Sequence, residues 1–189
     1  MPELYALKEW AVICAALDRG LQIITLRKGG IEEEEGQFAL RYPQFLLYPT
    51  FEHQNSADIQ SQQLTLLENS KQGANSLQII FNLWAKCERV VPVTSKEMAK
   101  ALAGFTIWTS EALAKRFELY PTKPLLLLFL RAYHLNTPLI APENPSYAGC
   151  RSWVPLVDLA LPAGIIGPPV LPDNVFHQTA QEIDAIVKS

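Results

Sequence analysis

Arg27-Lys28-Gly29-Gly30 puts a guanidinium, an ammonium and two glycines at the end of the apolar, β-branched run Leu21 to Leu26. Forked donors, a point charge and exposed backbone N–H groups together suit a phosphate or a carboxylate. The alternative is a plain strand end, in which Arg27 pairs with the Glu32 to Glu35 run and the glycines only turn the chain. Glu9-Trp10 and the segment Tyr48 to Gln54, which includes His53, combine rings with amides and carboxylates. Such rings stack on bases, and such polar groups read base edges. Trp10 serves equally as core on an apolar helix face, and His53 as a hydrogen-bonding loop residue. Arg131 follows six apolar residues, Leu125 to Leu130. A guanidinium carried inward must be paired, so it bridges to a carboxylate such as Glu9 or Glu52, or points into a polar cleft. Arg41, Arg151 and Trp153 complete the candidate ligand-binding set.

Other chemistries find little support. The chain has no phosphate-binding GxxxxGK[ST] motif, no GxGxxG after a strand, no HExxH and no CxxC pair, so no cofactor or metal is expected. Gly149-Cys150-Arg151-Ser152 is not a nucleophile elbow, and a cysteine nucleophile needs a base that His53, His134 or His177 would have to supply. A metal-dependent nuclease core needs an acidic-x-Lys element, but Lys28, Lys86 and Lys123 are preceded two residues earlier by Leu26, Trp84 and Pro121. No catalytic residue is assigned. An enzyme using Cys150 or His53 ranks behind a binding module and a structural protein.

These residues sit in an ordinary globular composition, 49% apolar and 19% charged, which excludes wholesale disorder. Net charge is −3, so a nucleic-acid contact must come from a local patch of Arg27, Lys28, Arg41, Arg131 and Arg151. Apolar runs such as Leu125 to Leu130 fall far short of the roughly 20 residues of a membrane span. The N-terminus lacks a signal-peptide pattern, and three scattered cysteines suit a reducing compartment, so a cytoplasmic location is expected.

The elements that would position the candidates follow from periodicity. Leu4, Leu7, Trp10, Cys14 and Leu17 recur at helical spacing, and Gly20 suits the end of that helix. Strands are expected at Leu21 to Arg27, at Phe45 to Tyr48 with a stop at Pro49, at Leu77 to Trp84, which either continues or turns into Arg89 to Val93, and at Leu125 to Leu135 as the central strand. The Glu32 to Glu35 run reads as an exposed loop, and Ser56 to Ser70 as a surface helix. Thr94-Ser95-Lys96-Glu97 has capping-box spacing for a short helix to about Gly104, and a second helix runs from Ser110 to Leu119. Eight of the 14 prolines lie between Pro138 and Pro172, which implies loop and edge strand there. Asp173 or Asn174 caps a last helix with Phe176 and Ile183 inward. Strands joined by unequal helices predict an α+β fold, as a mixed or antiparallel twisted sheet or a small barrel with flanking helices. Residues 1–160 read as one α+β domain. Residues 161–189 read as a Pro/Gly-rich connection and a C-terminal helix packed on it.

Four blocks in order, Ala6 to Ala11, Leu26 to Ile31, Phe45 to Thr50 and Tyr147 to Trp153, resemble a prokaryotic family frequent in cyanobacteria and catalogued as domain of unknown function 1802. The resemblance spans Leu4 to Val157. Members noted beside restriction-endonuclease domains imply a role in restriction-modification or another DNA-directed system. The layout of helix, glycine and strand ending in arginine, Ala16 to Arg27, is similar to the opening of PUA-like ASCH and EVE modules. Those are small β-barrels that read RNA or a flipped, modified base, although Ile23 and Thr25 replace the characteristic ASCH lysine and glutamate. The resulting expectation is a non-catalytic module that binds nucleic acid or a nucleotide-like anion. The alternative is a structural or protein-interaction protein whose cations are internal ion-pair partners.

Overall fold

The structure is a computed structural model that describes residues 4–29, 32–34, 37–74, 77–149, 151–156 and 159–188. It is a mixed α+β fold. Among the described residues, nine strands and five α-helices run in the order β1 (Tyr5–Trp10), α1 (Ala11–Asp18), β2 (Ile24–Arg27), β3 (Glu32–Glu34), β4 (Gln37–Ala39), β5 (Gln44–Thr50), α2 (Leu64–Ser70), β6 (Gln78–Val93), α3 (Lys96–Ala101), α4 (Ser110–Glu118), β7 (Leu125–Pro142), β8 (Trp153–Pro155), β9 (Ile166–Pro169) and α5 (Asp173–Val187). No helix is long and apolar enough to cross a membrane among the described residues.

The principal sheet has the order β2-β7-β6-β5-β1-β8, with β9 on the second half of β7. Only β1 and β5 pair in parallel; every other pairing in this sheet is antiparallel. Its spine is the pair β6 and β7, whose register slips between Phe81 and Leu83 and again between Cys87 and Arg89. Bulges of this kind bend the strands and increase their twist. The sheet therefore curls until β2, at one end of the order, lies against β1, next to the other end. No ladder joins β1 and β2. Side chains close the seam instead: Arg27 Nη1 donates to the Lys8 carbonyl at 2.8 Å, and Thr25 Oγ1 donates to Glu9 Oε2 at 2.6 Å.

Each face of the sheet covers an apolar cluster. One face packs Leu7, Ile24, Leu26, Phe45, Leu127 and Phe129 under α1 to α5; the other packs Ala6, Leu46, Phe81, Val154 and Leu156 under the chain after β7 and β8. Leu127 is fully buried, as the apolar-on-both-faces pattern of a central strand requires. Gly20 takes φ +66°, and a Cβ there would lie 2.6 Å from Leu171 Cδ2, so glycine lets the segment leading into α5 approach the end of α1.

Five local expectations need correction. The predicted N-terminal helix is a strand up to Trp10, because pairing with β5 and β8 outweighs helical periodicity; only Ala11 onward is helical. Gln54 Oε1 accepts from Val12 N and satisfies a donor at the start of α1. Strand β5 runs through Pro49, opposite Glu9, to Thr50. Glu32–Glu34 forms a strand paired with β4 rather than a loop. Ser95, not Thr94, caps α3, and Asp173 begins α5 with Pro172 at the cap position.

Candidate functional site

The seam between β1 and β2 is also where charge collects. Alternation along β1 turns Lys8 and Glu9 to opposite faces, and Glu9 is buried at the seam. Its carboxylate accepts from Trp10 N at 2.9 Å, from Thr25 and, at 3.1 Å, from Arg27. Arg27 Nε is buried without a hydrogen-bond partner among the described residues. Lys28 Nζ donates to the carbonyls of Phe117, at 2.5 Å, and Tyr120, at 3.3 Å, at the end of α4. An ammonium complements the negative end of a helix dipole, while burial pushes its pKa down. Arg116, in the last turn of α4, stacks 4.4 Å from the Trp108 ring, and Trp10 packs on Trp108 at 4.7 Å. Burial lowers the pKa of Arg116, and Glu9 opposes that effect.

These groups line a cleft of about 290 Å³ that contains Lys8, Glu9, Trp10, Arg27, Lys28, Gly29, Thr50, Arg116, Leu119, Tyr120 and Ser152. Among the described lining residues, Arg27, Lys28 and Arg116 share the Glu9 side of the strand, three cations with one carboxylate, while the Lys8 ammonium reaches the Tyr147 and Gly149 carbonyls on the other face. Carbonyl hydrogen bonds from the end of α4 hold Lys28 in place. Gly29 has φ +125°, and its missing Cβ leaves open space. The cleft offers ammonium, guanidinium and hydroxyl donors to an anion.

A second, larger cleft of about 640 Å³ adjoins the first, since Lys8 and Thr50 line both. Its other polar walls are Asp18, Glu52, Gln78, Asn82, Glu143 and Asn144, with Tyr48 and Tyr147 as rings. Three carboxylates outweigh one ammonium, so this cleft suits a donor-rich, uncharged group rather than a polyanion. Burial raises the Tyr48 pKa, with smaller contributions from Glu143 and Tyr147.

The structure gathers Arg27, Lys28 and Gly29 in the smaller of the two clefts and places Tyr48 in the larger one. Arg131 joins neither. It is buried, pairs with Asp173 rather than Glu9 or Glu52, and lies 4.8 Å from the Phe176 ring, because α5 covers that stretch of β7. Arg41 sits 5.6 Å from the Tyr42 ring, and Trp153 packs edge-on against Phe45 at 5.1 Å, both outside the clefts. Arg151 is exposed beside Ser152, and His53 is exposed at φ +63°. Gly30 and Cys150 lie outside the described residues. Sequence reasoning missed Lys8, Thr50, Arg116 and Tyr120. Strand alternation would have singled out Lys8 once Tyr5 to Trp10 was read as β; Arg116 reaches the seam only through tertiary packing. No group of three metal-ligating side chains gathers among the described residues.

Two solved structures are similar to the chain at low identity. A tyrosine-to-phenylalanine mutant of the ASCH protein from Zymomonas mobilis has a TM-score of 0.46 and 13% identity, covering 82% of this chain and 91% of that one. A serine-to-alanine mutant of the same protein has a TM-score of 0.47 and 11% identity, covering 82% and 89%. No curated protein matches the sequence at a significant level. Residues 6–182 match a family model described as Domain of unknown function (DUF1802), and the chain belongs to that family.

Proposed function

We propose that this protein is a non-catalytic module that binds a nucleic-acid phosphate, or a nucleotide-like anion, in the seam cleft. The observation that carries this reading is the local charge surplus. Arg27, Lys28 and Arg116 meet Glu9 alone among the described lining residues on that face, in a chain whose net charge is −3. Such a surplus disfavours the empty cleft through mutual repulsion and is relieved when a phosphate enters. The adjoining larger cleft, with Tyr48, Asn82 and three carboxylates, has the volume and hydrogen-bonding groups for an attached base. If members of the family act beside restriction endonucleases, the bound anion is DNA.

A structural reading also has a specific observation in its favour: Arg27 is paired with Glu9, and Lys28 caps α4. Binding separates the two. Single-stranded, double-stranded and modified DNA, and single-stranded RNA, are titrated at two salt concentrations against wild type and an Arg27→Ala/Lys28→Ala variant. The binding reading expects wild-type affinity to fall with salt, and the variant to bind all sequences more weakly and alike. Tyr48→Ala should change base preference instead. Equal affinity of wild type and double variant, or no wild-type binding at low salt, would leave the structural reading standing.

A further inference from the structure

Tyr120 stands at the rim of the seam cleft in a conformation its sequence resists. Its φ is +53°, in the left-handed region that a bulky side chain rarely occupies. It precedes Pro121, which biases the preceding residue toward extended backbone and adds to the cost. Two donors hold it there. Lys28 Nζ reaches its carbonyl at 3.3 Å, and Lys123 N donates to the same carbonyl at 2.9 Å. The residue is 62% exposed, and the neighbouring Leu119 is 54% exposed. An exposed aromatic side chain is thus carried on a strained, tethered turn beside Arg27, Lys28 and Arg116, and the lysine that tethers the turn belongs to the same cleft. Strain of this kind persists only where surrounding contacts enforce it, and it clusters at ligand-binding positions.

We infer that Tyr120 is a base-stacking platform, and that the occupant of the cleft is single-stranded nucleic acid. This inference rests on the anion-binding reading of the cleft. A cationic groove that follows the backbone, beside a rigid aromatic that accepts any base, is the physical basis of binding to unpaired strands. A duplex keeps its base faces inside the stack and offers the ring nothing but its backbone. A free phosphate needs the cations but not the ring.

The test uses fluorescence anisotropy with short DNA and RNA single strands, an abasic strand of the same length and a duplex, against wild type and three variants. Wild type should prefer the base-containing strand to both the abasic strand and the duplex. Tyr120→Ala should lower affinity for the base-containing strand by roughly 5- to 150-fold and leave the abasic strand unchanged. Tyr120→Gly, which suits the positive φ and so keeps the turn, should lose the same preference; Tyr120→Phe should retain it. Base-dependent affinity that survives in Tyr120→Ala and Tyr120→Gly overturns the platform, and so does a loss of equal size on the abasic strand. If those results come with salt-dependent binding that needs Arg27 and Lys28, the cleft stands and the platform alone fails. Absence of wild-type binding to every strand removes both.

Discussion

Two arginines leave apolar strands in this molecule, and their surroundings differ. Arg131 follows Leu130 on β7 and is buried; its partner Asp173 has a side chain 83% exposed at the start of α5, and Phe176 lies over the guanidinium. One cation meets one carboxylate under a helix, which is a device for docking α5. Arg27 follows Leu26 on β2 and meets Glu9, yet Lys28 and Arg116 share its cleft, and the cleft is open to solvent. A buried arginine by itself shows only that a partner exists. An excess of like charge around an accessible cavity points to a ligand.

The comparison can be broken at several levels. The largest effect is expected at the floor the two regions share. Leu127 pairs with Leu26 on β2 and lies four residues before Arg131. Leu127→Asp buries an unpaired carboxylate and should cost on the order of 4 kcal/mol, read as the midpoint of urea unfolding. A cooperative variant with an unchanged midpoint would show that β7 is not the central strand.

Glu9→Gln comes next. It removes the one carboxylate that faces Arg27 and should cost about 3 kcal/mol without ligand. It also enlarges the positive surplus, so inorganic polyphosphate should raise the melting temperature of this variant by more than that of wild type. Asp173→Asn strips the counter-charge from Arg131. Its cost should be smaller, about 1 kcal/mol, because the aspartate is largely in water. Polyphosphate should not rescue it. Rescue of both variants, or of neither, would erase the distinction between the two regions.

The smallest effect is a charge reading from two thiols. Burial raises the Cys14 pKa; Glu9 adds to the rise and Arg27 opposes it. Burial pushes the Cys87 thiol up to about 12, with Glu88 adding and a backbone hydrogen bond at Arg89 opposing. In the unfolded chain a thiol releases its proton near pH 9, whereas the folded Cys87 keeps it to about pH 12. Stability from this group is therefore complete below pH 9 and lost as pH climbs toward 12. In a Cys150→Ser background, Arg27→Gln should slow alkylation of Cys14 and leave Cys87 unaffected, read by mass spectrometry of the labelled peptides. Slowing at both thiols would mean that Arg27 acts through global structure rather than the local field.

How much of this was legible in the sequence depends on whether the cause was local. The apolar strand at Leu125 to Leu130, the turn at Gly20 and the helix from Ser110 follow from pattern and from residue chemistry, and all three are present. The α+β class followed in the same way. The N-terminal strand did not, because apolar spacing from Leu4 to Leu17 fits a helix and only pairing with β5 and β8 decides otherwise. Within the site, the Arg27-Lys28-Gly29 cluster was visible as charge at a strand end. Its true partner, Glu9, was not, since nothing local says that a sheet curls far enough to bring β2 onto β1. Arg131 pointed correctly to a carboxylate, but the choice among carboxylates belonged to α5, about 40 residues away in sequence.

The central claim is that the seam cleft has cations to spare for a polyanion. The salt dependence of binding measures this most directly, because each phosphate contact to a single strand contributes roughly 0.7 to the slope of log K against log salt. Wild type, Arg27→Gln/Lys28→Gln and Asp173→Asn are compared on one single-stranded oligonucleotide, all at a temperature where each is folded. The account predicts a slope shallower by about 1.4 in the double variant and unchanged in Asp173→Asn. A double variant with the wild-type slope, or a wild type that fails to bind at low salt, would contradict it.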